Sequence, residues 1–461
     1  MDYLGFKNWL VKQNKFAEAT IKDMVSRVKR ANKILNWYND DIYQYRLEQE
    51  KEYQNISSSV RSQIKRAVSM YFKYIKETSQ TQGPKMKMLS LFANIGVAEA
   101  YLDEIGVEVV LANEMIERRA KLYSKIYPKT KMICGDITDK KIFNQIVDEA
   151  HNMEIDIIMA TPPCQGMSTA GQQNENDERN KLICPVITAV KEIEPNYVFL
   201  ENVPMFLNTK IEFNNQHILI PDLLEQELGE KYTIYKYIID TKNYSVPQTR
   251  ERAIILMTKK EKNIKEWTLP KADKHIVTMR EAIGNLPMLD PFVTDISDEE
   301  RQVMFPQYEE RKQTALKISK WHMPPEHVKR QVIAMQHTPS GCTAFDNEEY
   351  FPIKENGEAV KGYHNTYKRQ NWDTAAYTVT MDNRKISSQN NVHPGRLEYI
   401  NEDGEEIYSD ARTLTLYELM IIMSLPKNWS IPNNTSEAFL RRIIGEGIPP
   451  LFVKKVFENL K

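Results

Sequence analysis

Between Met88 and Met257, short β-rich runs alternate with helical stretches, and this alternation constrains the fold more than any other feature of the chain. The runs are Met88-Leu89-Ser90-Leu91-Phe92, Val107–Ala112, Asp156–Met159, Tyr197–Leu200 and Ala253–Met257. Runs this apolar suit strands covered on both faces, and helical crossovers make successive strands parallel. The expected fold class is α/β, with a mostly parallel sheet between helices.

The alternation breaks near Leu289-Asp290-Pro291. Residues 290–372 are polar, rich in His, Lys, Arg, Gln and Tyr, and read as a separate small domain. Strand-like Tyr377-Thr378-Val379-Thr380 and the helical Leu416–Met423 and Leu451–Leu460 return to the first domain, which thus spans 86–289 plus 373–461. Ahead of it, residues 1–80 read as helical. Thr20 is placed to cap a helix with Asp23 in its first turn, and Ile21, Met24, Val25, Val28 and Leu35 mark one face. A second helix carries Val60, Ile64, Val68, Tyr71, Phe72 and Ile75, and Thr78–Lys85 reads as a linker.

Net charge over the 461 residues is −1, so whole-chain charge carries no nucleic-acid signal. Residues 1–85, however, hold 16 Lys+Arg against 9 Asp+Glu. Two readings stand side by side: a helical bundle with a solvated basic face, and an accessory DNA-binding module. Four cysteines at 134, 164, 184 and 342 form neither a zinc spacing nor a disulfide framework, and no metal site is expected. No apolar run is long enough to span a bilayer, and Met1-Asp2-Tyr3-Leu4-Gly5 opens no secretory signal. A cytoplasmic location is expected.

Chemistry collects where the strands end. Gly96, in Phe92-Ala93-Asn94-Ile95-Gly96, follows the first strand and lets backbone approach a ligand. Glu114 ends the second strand, 18 residues after Gly96, where an acid binds ribose hydroxyls. Gly135-Asp136-Ile137 adds a third turn, in which Asp136 either accepts from an adenine amino group or caps a helix. Three such turns on one sheet edge favour a nucleoside site, and the absence of a Walker pattern argues against a triphosphate. Cys164 follows Pro162-Pro163 at another strand end. It is either a presented nucleophile or one of the buried thiols common in cores. Glu201 ends an apolar strand 37 residues later and needs a partner or a substrate there. Arg250 and Arg252 alternate onto one side of an extended segment, and an internal salt bridge is expected for at least one of them.

These blocks resemble the DNA (cytosine-5)-methyltransferases of bacterial and phage restriction-modification systems. Phe92–Gly96, Asn113-Glu114, Gly135–Thr138, Pro162–Gln165, Glu201-Asn202-Val203, Gln248–Arg252 and Arg412–Leu416 stand in the family's order, over residues 88–461. The resemblance implies a Rossmann-like S-adenosylmethionine-dependent methyltransferase domain, with a target-recognition domain at 290–372. It implies that Cys164 attacks carbon 6 of a flipped-out cytosine in a short duplex DNA site, that Glu201 hydrogen-bonds ring nitrogen 3 and that Arg252 holds oxygen 2. Phe92, Ile95 and Gly96 would meet the methionine part of the cofactor. Glu114 would bind the ribose, Met115 would pack on the adenine, and Asp136 and Ile137 would address its edge. Pro163, Leu182, Glu446, Gly447 and Ile448 would complete the pocket. Gln165, Ser168 and Arg250 are the expected DNA contacts, with Arg311, Lys329, Arg330, Lys368 and Arg369 on phosphates.

The chain departs from the family pattern at Asn94, Val97 and Glu446. Glu446 puts a negative charge beside the cofactor, where it either meets the donor's ammonium or weakens binding. The resemblance further implies a monomer on DNA and a cognate restriction endonuclease acting separately on the same site. The rival functions are a tRNA cytosine-5 methyltransferase and a catalytically silent DNA-binding protein.

Overall fold

The computed structural model describes residues 1–37, 43–79, 85–163 and 178–460. They form two compact units, one of residues 1–85 together with 103–106, the other of the remaining chain.

In the first unit, helices α1 (Tyr3–Lys12), α2 (Glu18–Ile34) and α3 (Ser58–Ser79) enclose an aromatic core. Asp2 caps α1 by accepting from the Gly5 N–H, and it also accepts from the Tyr74 hydroxyl at 2.6 Å. Ile21, Met24, Val28 and Ala31 recur at helical spacing on the inner face of α2 and meet Ala67, Val68, Tyr71 and Tyr74 of α3. Phe6 sits edge-on to Tyr71 at 5.1 Å between ring centres. The expected cap at Thr20 is not used: α2 begins at Glu18 after Ala17, with no side-chain cap. The expected linker is also shorter at its start, because Thr78 and Ser79 belong to α3; residues 80–84 lie outside the described residues.

The second unit is built on a seven-stranded sheet. Its strands are β1 (Met86–Leu91), β2 (Val107–Glu114), β3 (Lys131–Cys134), β4 (Ile157–Ala160), β5 (Tyr197–Asn202), β6 (Tyr232–Asp240) and β7 (Glu251–Lys259). They lie in the order β3-β2-β1-β4-β5-β7-β6. The first five are parallel, while β7 runs antiparallel to both β5 and β6. Helices α4 (Glu117–Ile126), α5 (Lys140–Met153) and α6 (Ile183–Ile193) occupy the links from β2 to β5. This is a Rossmann-like α/β fold, and the strand order reverses between β1 and β4. The loops at their carboxyl ends therefore diverge and leave a crevice.

Two strands of this sheet escaped the sequence reading. β3 buries only Ile133, and β6 is an edge strand with polar residues among its apolar ones. Conversely, Tyr377–Thr380 forms no strand. A single bridge joins neighbouring Ala376 to Gln248, and the segment's backbone is engaged by side chains instead.

A smaller core gathers Val293, Phe305, Tyr308, Val332, Met335, Ala344 and Tyr367 with Ile386, Val392 and Ala411, reaching beyond residue 372. Beneath it, Arg412 is fully buried. It makes a paired bond with Glu418 at 2.8 and 2.9 Å, meets Asp410 at 2.8 Å and donates to the Leu289 carbonyl. Burial holds the neighbouring His393 at about 3, so its ring is neutral. The chain then returns to the sheet. Helix α7 (Leu416–Ile422) packs with Ile95 and Val97, and α8 (Pro450–Glu458) brings Phe457 against Phe199, 5.5 Å between ring centres.

Candidate active site

The loop after β1 turns through positive φ at Phe92 (58°), Asn94 (52°) and Gly96 (82°). At Gly96 a Cβ would lie 2.1 Å from the Tyr127 ring, so only glycine fits. The Tyr127 hydroxyl donates to the Gly96 carbonyl and fixes the turn. Ser90, inside β1, donates at 2.6 Å to Glu99, whose carboxyl is buried beneath the loop and pushed up to about 7 by that burial.

Glu114 is tied to this loop. One carboxylate oxygen accepts from the Asn94 N–H at 2.9 Å and the other from the Ile116 N–H at 2.8 Å. Each oxygen keeps a further lone pair, so the group is fixed in orientation and still able to accept from a ribose hydroxyl. Asn113 holds the third turn by donating to the carbonyls of Ile133 and Gly135, both at 3.0 Å. Met115 is 60% exposed and offers an apolar face beside that turn. This donor set fits a nucleoside.

Other expected contacts are placed differently. Asp136 is exposed and folds back on Thr138, while the helix-capping role belongs to Asp139. The Ile137 side chain is buried in the main core. Ile95 likewise points into the core with Leu416, which leaves its backbone for a ligand. Ile448 is buried, and Gly447 lies so close to Val97 that a Cβ would meet it at 2.9 Å. The departure at Val97 is thus matched by a glycine opposite. Pro163 and Leu182 are half-buried. Phe92, half-buried, packs on the main core.

Glu446 has a partner the sequence reading missed. Arg119, on α4, reaches its carboxylate at 2.8 Å. A signal was available: an acid set between two glycines in a pocket needs a cation nearby once it is buried. Its location 327 residues away was not readable.

At the neighbouring strand ends, Glu201 of β5 and Arg252 of β7 meet at 2.7 Å, with side chains 12% and 13% exposed. Antiparallel pairing of the two strands brings them together. Asn202 donates at 3.0 Å to the Pro162 carbonyl and so holds the chain just before Cys164. Cys164, Gln165 and Ser168 lie outside the described residues. Arg250, expected to face DNA, is instead 2% exposed. Its guanidinium donates to the Val379 and Gly445 carbonyls at 3.0 and 2.9 Å. It leaves the face of Arg252 because β7 begins only at Glu251. Gln248 reinforces this join by accepting from the Val379 N–H.

Several expected phosphate contacts are also structural. Arg369 is fully buried on the carbonyls of Met335, His393, Ser409 and Asp410. Arg311 bridges Asp290 and Glu398, and Lys329 pairs with Glu300. Lys368 lies over the Tyr377 ring, and Arg330 is half-exposed. Among the described helices none is long and apolar enough to cross a membrane.

The family model for C-5 cytosine-specific DNA methylases matches residues 86–461. The Type II methyltransferase M1.HgaI of Avibacterium volantium is 43% identical over 377 residues, 81% of this chain and 97% of that one. M.NgoPII of Neisseria gonorrhoeae, another Type II methyltransferase, is 25% identical over 81% of this chain and 95% of its own. A crystal structure of a prophage-encoded DNA modification methyltransferase from E. coli shares the fold, with a TM-score of 0.55 and 16% identity over 82% of this chain and 98% of that one. From Met86 onward the chain belongs to the C-5 cytosine-specific DNA methylase family and is a DNA (cytosine-5)-methyltransferase.

Proposed function

We propose that the enzyme transfers a methyl group from S-adenosylmethionine to carbon 5 of a cytosine flipped out of a short duplex DNA site. The observation that carries this is the Glu201–Arg252 pair, held beside a Pro162 loop that leads directly into Cys164. The donor supplies an electrophilic methyl on a sulfonium. The chain's residues make the poorly nucleophilic carbon 5 able to accept it. The Cys164 thiolate forms a bond to carbon 6, and the electrons of the 5,6 double bond pass toward nitrogen 3 and oxygen 2. Glu201 hydrogen-bonds nitrogen 3, and Arg252 neutralises charge at oxygen 2. Their mutual contact keeps both side chains pointed at one place before the base arrives. After methylation, carbon 5 loses its proton to a base, the double bond re-forms and the Cys164 thiolate leaves.

Glu114 and Met115 hold the nucleoside part of the donor, and the backbone of residues 92–96 meets its methionine part. Pro163, Leu182 and Gly447 border its methionine end. Gln165 and Ser168 contact the DNA gap, and residues 290–372 read the target sequence. The enzyme works as a cytoplasmic monomer on DNA, alongside a separate endonuclease of the same specificity.

The test is incorporation of labelled methyl from S-adenosylmethionine into duplex DNA, with tRNA in parallel. Label confined to tRNA, or absent from both, overturns the proposal. DNA containing 5-fluorocytosine should trap a covalent adduct, and an adduct that persisted in Cys164→Ser would remove Cys164 from its role.

A further inference from the structure

A carboxylate as buried as Glu446 is costly unless it is paired. Arg119 Nη2 lies 2.8 Å from Oε2, and both side chains are less than one-fifth exposed. Arg119 itself is steadied by its helix, because the preceding Arg118 stacks 3.8 Å over the Phe439 ring, on the same helix as Glu446. One carboxylate oxygen is therefore committed. The other, Oε1, is buried without a hydrogen-bond partner among the described residues and makes a long ion pair, 3.6 Å, with Arg442 Nε, whose side chain is 64% exposed.

Asn94 shows the same pattern. Its backbone N–H is fixed on Glu114, and its Nδ2 points to Glu446 Oε2 at 3.4 Å. Its Oδ1 is buried and lacks a partner among the described residues. Two unsatisfied acceptors, one anionic and one neutral, thus stand on adjacent side chains at the carboxyl end of β1. Buried acceptors are rarely left so. A compact cation with several N–H donors satisfies both, whereas an anion or an apolar group satisfies neither.

We infer that Asn94 Oδ1 and Glu446 Oε1 form a subsite for the α-ammonium of the methyl donor's amino-acid end, and that Arg119 is the positioning residue that aims Glu446 into it. The inference rests on the S-adenosylmethionine reading above. It gives Asn94 and Glu446, two of the chain's departures from the family pattern, a joint task, with Arg119 as the compensating cation. Arg119 also keeps Glu446 from being an isolated buried charge when the subsite is empty.

The test is calorimetric binding to the full chain, without turnover. The ligands are S-adenosylhomocysteine and its deaminated analogue, in which hydrogen replaces the α-amino group. The wild-type chain should bind the analogue about 10- to 100-fold more weakly. Glu446→Gln should narrow that gap to a few-fold by weakening only the amino ligand. Arg119→Met should narrow it as well, with Arg119→Lys restoring part of it. Equal wild-type affinity for the two ligands overturns the subsite. A uniform loss for both ligands in Arg119→Met overturns the positioning role. Should Glu446→Gln fail to fold, the wild-type comparison alone decides. If neither ligand binds, the cofactor reading falls and takes the subsite with it; unequal wild-type binding sustains both.

Discussion

The side-chain amide of Asn202 donates to the carbonyl of Pro162, 3.0 Å away, and so pins the chain two residues before Cys164 to the end of β5. Asn202 Oδ1 in turn accepts from the Val203 N–H at 2.9 Å, so the amide has a single usable orientation. A clamp of this kind acts on geometry rather than on chemistry. Asn202→Ala should lower kcat by about 10- to 100-fold, consistent with roughly 1–3 kcal/mol for a lost buried bond. KM for the cofactor should hardly move. Steady-state kinetics on duplex DNA check this, and an unchanged kcat would dismiss the clamp.

Glu201 and Arg252 are each other's partner before substrate arrives. Glu201→Gln keeps the shape but not the acid, and kcat should fall about 10²–10⁴-fold. Arg252→Met should also weaken adduct formation with 5-fluorocytosine DNA. Circular dichroism should stay native in both. Activity within threefold of wild type in Glu201→Gln would show that the pair is merely structural.

Arg412 is buried between Glu418 and Asp410, and its charge helps to hold both carboxyls below the usual carboxylate range. Removing one member of a buried ion pair strands the other charges. Arg412→Met should therefore cost about 3–5 kcal/mol in denaturant unfolding. A loss below about 1 kcal/mol would mean that water reaches the cluster.

Glu99 supplies a pH signature. Burial pushes its carboxyl from 4.5 up to about 7. The folded state therefore holds the proton more tightly than the unfolded chain. The associated stability is complete below 4.5 and is lost as pH rises through about 7. Glu99→Gln stays neutral and escapes that loss. Its melting temperature should gain on wild type between about pH 5 and about pH 8, by at most about 3 kcal/mol in stability. Parallel melting curves across that range would refute the assignment.

The sheet was legible where strands are buried on both faces, as in Ile157–Ala160 and Tyr197–Leu200, because nothing else explains such runs. It was illegible at β3, where only Ile133 is buried, and misleading at Tyr377–Thr380, where β-branched residues mark an extended loop. In the site, residue type announced Glu201 and Arg252. Alternation along an extended segment suggested that Arg250 would share their face, but the backbone leaves that register before β7 begins. Tertiary partners across long separations, such as Arg119 with Glu446 or Arg369 with four carbonyls, leave no trace in local pattern.

The anchoring of Arg250 on the Gly445 carbonyl bears on how the enzyme comes into being. The two residues are 195 positions apart. At about 5–20 residues per second, a ribosome needs roughly 10–40 s to pass from one to the other. Throughout that interval the sheet exists but its arginine has no carbonyl from Gly445 to hold. The anchor therefore forms only once synthesis has passed Gly445, and a chain stopped before that glycine holds all seven strands of the sheet without it.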